Sequence, residues 1–214
     1  MVEKPLAWLG SSLEDVRAFP AEAKRAAGYQ LGRVQQGLMP DDWKPMSAVG
    51  TGVYEIRIHT ELEHRVFYVA KYEDAIYVIH AFEKHDPDQG GRHCLGAQAS
   101  GRLPARAWPE EEGGSVTVKV RRSTGNVFRD LGFSKDEAEN LKIRTNLMIR
   151  ISKLIESRRL TQAQAARLFR VTQPRISDLV RGKIDRFSID TLVAMLSHAG
   201  VPVQIVVGRK SKVA

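Results

Sequence analysis

The segment from Thr161 to Lys183 limits the fold of this chain more than any other. Thr161-Gln162-Ala163-Gln164 has the spacing of a capping box, in which a threonine hydroxyl and a glutamine side chain each satisfy a free backbone amide at a helix start. The helix it opens is short, because Thr172 stands ready to cap another from Gln173 to Val180. Pro174 fits the first turn of that second helix, where an amide would have no intrahelical partner. Ala166 is the small residue needed where two such helices cross, while Ala165, Phe169, Val171, Ile176 and Leu179 fall where each helix faces a third. The pattern is a helix-turn-helix.

The outward positions of its second helix hold Gln173, Arg175, Ser177 and Asp178. When such a helix lies in the major groove, its N-terminal residues meet base edges. Arg175 can give guanine two hydrogen bonds, Gln173 can do the same with adenine, and the Pro174 ring can touch a thymine methyl. Gln162, Thr172, Arg181 and Lys183 are better placed for phosphates. Operator DNA is therefore the expected partner. A homodimer is expected as well, because these motifs commonly read paired half-sites, with 116–120 and 201–207 as candidate pairing strands.

Charge agrees with this placement. Residues 1–85 hold 10 Lys+Arg against 12 Asp+Glu, residues 86–115 hold 3 against 5, and residues 116–214 hold 20 against 8, for net charges of −2, −2 and +12. All the basicity lies with the helix-turn-helix, as phosphate neutralisation requires. A single cysteine, Cys94, excludes an internal disulfide and suits a reducing compartment. With no 18-residue apolar run and no signal-peptide pattern, the sequence predicts a cytoplasmic protein that does not associate with membranes. It has no phosphate-cradling glycine loop, dinucleotide fingerprint, HExxH motif or paired cysteines, and its six histidines are scattered. No cofactor and no metal site are expected.

Residues 86–115, dense in Gly, Pro and Ala and without periodicity, read as a linker between domains at 1–85 and 116–214. In the first, Pro5 to Leu9 is a strand candidate, and helices follow over Leu13 to Phe19 and Ala21 to Gln36. The second carries an apolar stripe of Ala23, Ala26, Ala27, Leu31 and Val34. After Pro40 the period changes to two, giving strands around 53–59, 65–70 and 75–82. In the last domain Ser134 begins a helix with Ala138, Leu141, Leu147, Met148, Ile151, Leu154 and Ile155 on one face, and Ser188 caps another that Gly200 stops. The fold class is an α+β domain, with two helices on a small antiparallel sheet, followed by a mainly α helix-turn-helix domain with a terminal strand.

The helix-turn-helix segment resembles the Cro/C1-type (XRE) repressor family. Together with Asn126-Val127-Phe128 and Leu131-Gly132-Phe133, the run from Gln173 to Lys183 looks like HigA-type antitoxins. Arg170 stands where that family usually has glycine at the turn. Tyr54 to Ile58, His64 to Val69 and Val78 to Lys84 resemble the RelE/HigB superfamily of toxins, typically mRNA endoribonucleases or gyrase poisons. The resemblance implies metal-free RNA cleavage, with contact to mRNA or the ribosome through this domain. Arg57 and Arg65 would stabilise the phosphate, Lys84 would add a further cation, and Lys71 and His80 would have lesser roles. The likeness stops at Lys84, where that family continues with a basic C-terminal helix. Three readings remain open: an antitoxin-type repressor fused to an inactive or neutralised toxin-like domain, a working ribonuclease restrained by its own antitoxin domain, and a DNA-binding regulator with a non-catalytic interaction domain.

Overall fold

A computed structural model describes residues 3–84 and 119–204. In the N-terminal half β1 (Leu6–Leu9) leads to α1 (Ser12–Arg17) and α2 (Ala21–Gln35), then to β2 (Trp43–Pro45), β3 (Val53–His59), β4 (Glu63–Val69) and β5 (Ile76–Lys84). The C-terminal half runs β6 (Val120–Arg122), α3 (Val127–Asp130), α4 (Lys135–Ser157), α5 (Gln162–Phe169), α6 (Gln173–Val180), a 3-10 turn at Ile184–Arg186, and α7 (Ile189–His198).

The sheet order is β2-β3-β4-β5-β1-β6. Period-two alternation produces its antiparallel centre, in which Tyr54 faces Tyr68 and Val66 faces Ala81. The α+β class holds, but the sheet is mixed, because β1 runs parallel to β5. A parallel pair needs a long crossover, and α1, α2 and the strands after them supply it. β2 has no sequence signature: its three side chains are exposed and it ends in a proline. Of the strand expected at 116–120 only Lys119 and Val120 are described, and Val120–Arg122 pairs antiparallel with β1. The first described residues of the C-terminal half thus complete the sheet of the N-terminal half. The expected linker at 86–115 lies outside the described residues, as do 116–118 and 205–207; Val201–Gln204 carry no strand pairing.

Burial explains why α2 sits at the centre. Ala23, Ala27, Leu31 and Val34 form the predicted stripe, packed with Trp8, Ile56, Val66 and Tyr68 of the sheet in one core. The opposite side of the same helix is buried too, and there it carries Gly28 and Gly32. A Cβ added at Gly28 would lie 2.4 Å from the Phe128 ring, and one at Gly32 would lie 3.0 Å from the Thr145 methyl. The two glycines therefore let α3 and α4 approach the backbone of α2, and the core continues without a break into Leu141, Met148, Phe169, Ile176 and Leu192.

Polar groups at this junction are matched closely. The Asp130 carboxylate, 5% exposed, accepts from the Trp8 indole at 3.3 Å, the Thr124 amide at 3.0 Å, the Thr124 hydroxyl at 2.7 Å and the Ser123 hydroxyl. Arg17 donates to the Asp130 carbonyl at 2.6 Å. On the far side, Gly182 adopts φ +68°, and a Cβ there would lie 2.4 Å from the Tyr29 ring. Burial, and then the nearby Asp41 carboxylate, push the Tyr29 hydroxyl up to about 12.

Gly28→Ala therefore forces Phe128 or α3 to move, an overpacking strain of about 1–3 kcal/mol. Urea unfolding of the full chain should show that loss. Adding Phe128→Leu, which removes the clashing ring edge, should recover part of it.

Candidate nucleic-acid interface

The capping box at Thr161 forms as its spacing requires: Gln164 N donates to Thr161 Oγ1 at 3.3 Å, and Thr161 N donates to Gln164 Oε1 at 2.9 Å. Helix α5 then ends at Arg170, whose backbone is left-handed at φ 54°, ψ 45°. This is the conformation for which glycine is usual, and a side chain there costs about 1 kcal/mol. Thr172 occupies the N-cap of α6 with an extended backbone and no side-chain cap bond. Ala165, Phe169, Ile176 and Leu179 are wholly buried, so the inward positions are those the spacing predicts.

Helical geometry then sets the outward face of α6. Ile176 and Leu179 point into the core, which turns Gln173, Pro174, Ser177 and Asp178 outward at 100° per residue. Gln162, Thr172, Gln173, Pro174, Arg181 and Lys183 are exposed, and Ser177 and Asp178 are half-buried. Arg175 falls at the border of that face, half-buried, with its guanidinium 4.7 Å from the centre of the Phe187 ring. Among the described residues its side chain makes no ion pair and gives no hydrogen bond to an acceptor. Asp178 differs, being held by Lys183 at 3.0 Å. That pair draws one phosphate candidate onto one base-edge candidate and lowers the free charge of both. Phe187 carries no sequence signal, because an aromatic after a 3-10 turn has no period.

A second group lies on the sheet. Arg57 and Arg65 are direct cross-strand neighbours, and Lys84 stands opposite Glu63 at the same end. These three are brought together. Lys71 is not: it follows the opposite end of β4 and lies over the Tyr72 ring at 5.0 Å. His80 is tied to α1, its Nδ1 2.9 Å from Asp15 Oδ2, with its ring stacked on Phe82.

Carboxylates surround the arginines. Glu55, 8% exposed, takes Arg57 Nε at 3.2 Å and Arg65 Nε at 3.1 Å, while Glu63 takes Arg65 Nη2 at 2.9 Å. His59 bridges Asp42 and Glu63 at 2.7 Å each. The bond to Asp42, then that to Glu63, raises the His59 pKa, and the bond from His59 lowers that of Glu63. Three acids thus meet two guanidiniums and one titrating imidazole. Such a cluster offers little net attraction for an added phosphate.

Residues 127–208 match a helix-turn-helix domain family, and residues 14–90 match the family described as phage-derived protein Gp49-like. No curated protein matches the chain. The C-terminal half thus carries a helix-turn-helix domain, and most of the N-terminal half is similar to that phage-derived family. Among the described residues no helix is long and apolar enough to cross a membrane.

Two outcomes follow from this geometry. Arg170→Gly removes the cost of the left-handed side chain and should stabilise the chain by about 1 kcal/mol, read as a higher Tm. His59 should titrate above its ordinary 6.5 in an NMR pH series and return toward it in Asp42→Asn. Because its folded pKa is raised, its contribution to stability is complete below about 6.5 and lost as pH rises through the raised value.

Proposed function

We propose that the chain is a sequence-specific DNA-binding regulator of antitoxin type, HigA-like in residues 116–214 and joined through 86–115 to a HigB-like domain at 1–85 that is catalytically silent. It represses its own operon as a cytoplasmic homodimer. The observation that carries this reading is the outward face of α6, where Gln173, Pro174 and Ser177 stand beside an Arg175 with no acceptor among the described residues. That face belongs to the segment with a net charge of +12. Gln162, Thr172 and Arg181 flank it as phosphate contacts, and Lys183 joins them by exchanging Asp178 for a phosphate.

The carboxylates around Arg57 and Arg65 support a silent N-terminal half, since RNA cleavage needs uncompensated positive charge against a developing phosphorane. The rival reading is a metal-free endoribonuclease acting on mRNA, and in its favour Arg57, Arg65 and Lys84 share one end of the sheet. Arg65 is a poor probe of activity, because removing it leaves buried Glu55 short of a partner, a loss of about 3–5 kcal/mol. Arg57 is more exposed and better suited. Incubating the full chain with RNA in EDTA tests for an unrestrained enzyme: cleavage that disappears in Arg57→Ala overturns the silent domain, and intact RNA is the result expected of it.

DNA binding is tested by gel shift with the duplex upstream of the gene and with random duplex. Arg175→Ala should weaken binding to the upstream duplex by about 1–3 kcal/mol and barely change binding to random DNA. Equal losses on both would remove Arg175 from base readout, and no upstream preference in the wild type would end the DNA reading.

A further inference from the structure

We propose that Phe187 is a positioning residue for sequence readout: its ring holds the Arg175 guanidinium at the border of the α6 face, oriented for one base pair. This rests on the DNA reading above. Arginine is long and samples many rotamers, so a base-reading arginine discriminates best when one arrangement is favoured before DNA arrives. The Phe187 ring supplies that preference, with the guanidinium 4.7 Å from its centroid.

The ring is itself fixed. Phe187 is 1% exposed, so its side chain cannot swing away. Its amide donates to Ile184 O at 3.2 Å, and Arg144 Nη1 of α4 donates to the carbonyls of both Ile184 and Phe187 at 3.3 Å. The turn after α6 is thereby tied to the longest of the described helices. The ring lies under the guanidinium carbon, and among the described residues no acceptor takes the guanidinium N–H donors. Those donors are therefore left for a base while the ring contact holds the group in place. Arg186 and Ser188 flank the turn beside it, and the cleft they line with Arg175 is open to solvent.

The test uses the full chain and a duplex selected from a random-sequence library by the wild-type protein. The base pair read by Arg175 is the one whose replacement Arg175→Ala no longer senses. Phe187→Leu keeps an apolar side chain but removes the ring, and should reduce discrimination at that pair about three- to tenfold while leaving the salt dependence unchanged. In the Arg175→Ala background the same change should have no further effect on discrimination. Unchanged discrimination in Phe187→Leu, or losses that simply add in the double variant, would overturn the proposal.

A second measurement does not depend on how that variant folds. In the free wild-type protein the Arg175 side-chain protons should show upfield ring-current shifts by NMR, and ordinary shifts would overturn the proposal as well. A wild-type chain that selects no duplex defeats the DNA reading itself. That failure is told apart by a ring-current shift that persists in the absence of any DNA preference.

Discussion

The close approach of α3 and α4 to the two glycines of α2 is the contact on which the rest of the architecture depends. A helix with side chains all round keeps its neighbours 8–10 Å away from axis to axis. Gly28 and Gly32 remove that spacing on one side, so the Phe128 ring reaches the α2 backbone while Ala23, Ala27 and Leu31 meet the sheet on the other. From this seat follow the buried Asp130 junction, the addition of β6 to the sheet edge, and the continuous core. The turn after α6 is held by α2 as well, since Gly182 lies against Tyr29 and Arg25 of α2 pairs with Asp185 at 3.5 Å.

Electrostatics divide the molecule in two. On the sheet, Glu55 and Glu63 stand two residues from Arg57 and Arg65 on their own strands, so the two arginines find carboxylates within hydrogen-bond reach and their charge is used internally. On α6 the acids are few. Asp178 has taken Lys183, while Arg175 lies over the Phe187 ring and, although Asp185 and Asp190 line the same cleft, forms no ion pair among the described residues. A guanidinium stacked on a ring keeps its full charge and its in-plane donors, whereas one locked to a carboxylate keeps neither available. This contrast favours the helix over the sheet as the nucleic-acid surface.

Local signals in the sequence reached a long way into the structure. Both helices of the motif, the capping box, the Ser188 cap and the left-handed Arg170 depend on contacts within four residues, and their patterns are readable one segment at a time. The α2 stripe was readable as well, because helical period and burial coincide. What escaped was non-local. Nothing in Gly28-Tyr29-Gln30-Leu31-Gly32 announces which ring will fill the space, and a three-residue exposed strand such as β2 has no period to detect. The arginines were legible as candidates from strand alternation, but Glu55 lies on the same face by the same alternation. Whether cations on a sheet are free or neutralised depends on cross-strand register, which composition does not encode.

Continuity of the core also bears on how the two halves can regulate one another under the proposed function. Where two separate chains form such an assembly, silencing ends when they part. Here separation would expose the Phe128 ring, 1% exposed and set against Gly28, and would uncover the Asp130 carboxylate and the β1 edge together. Burying such a ring is worth about 1.5–3 kcal/mol before the polar junction is counted, against about 5–15 kcal/mol for a typical domain's whole stability. Opening the junction therefore costs a substantial part of that stability. The N-terminal half is carried with the reading helix wherever it binds, and any signal passing between the halves has to travel as a shift of α2 against Gly182 and the turn that holds Phe187.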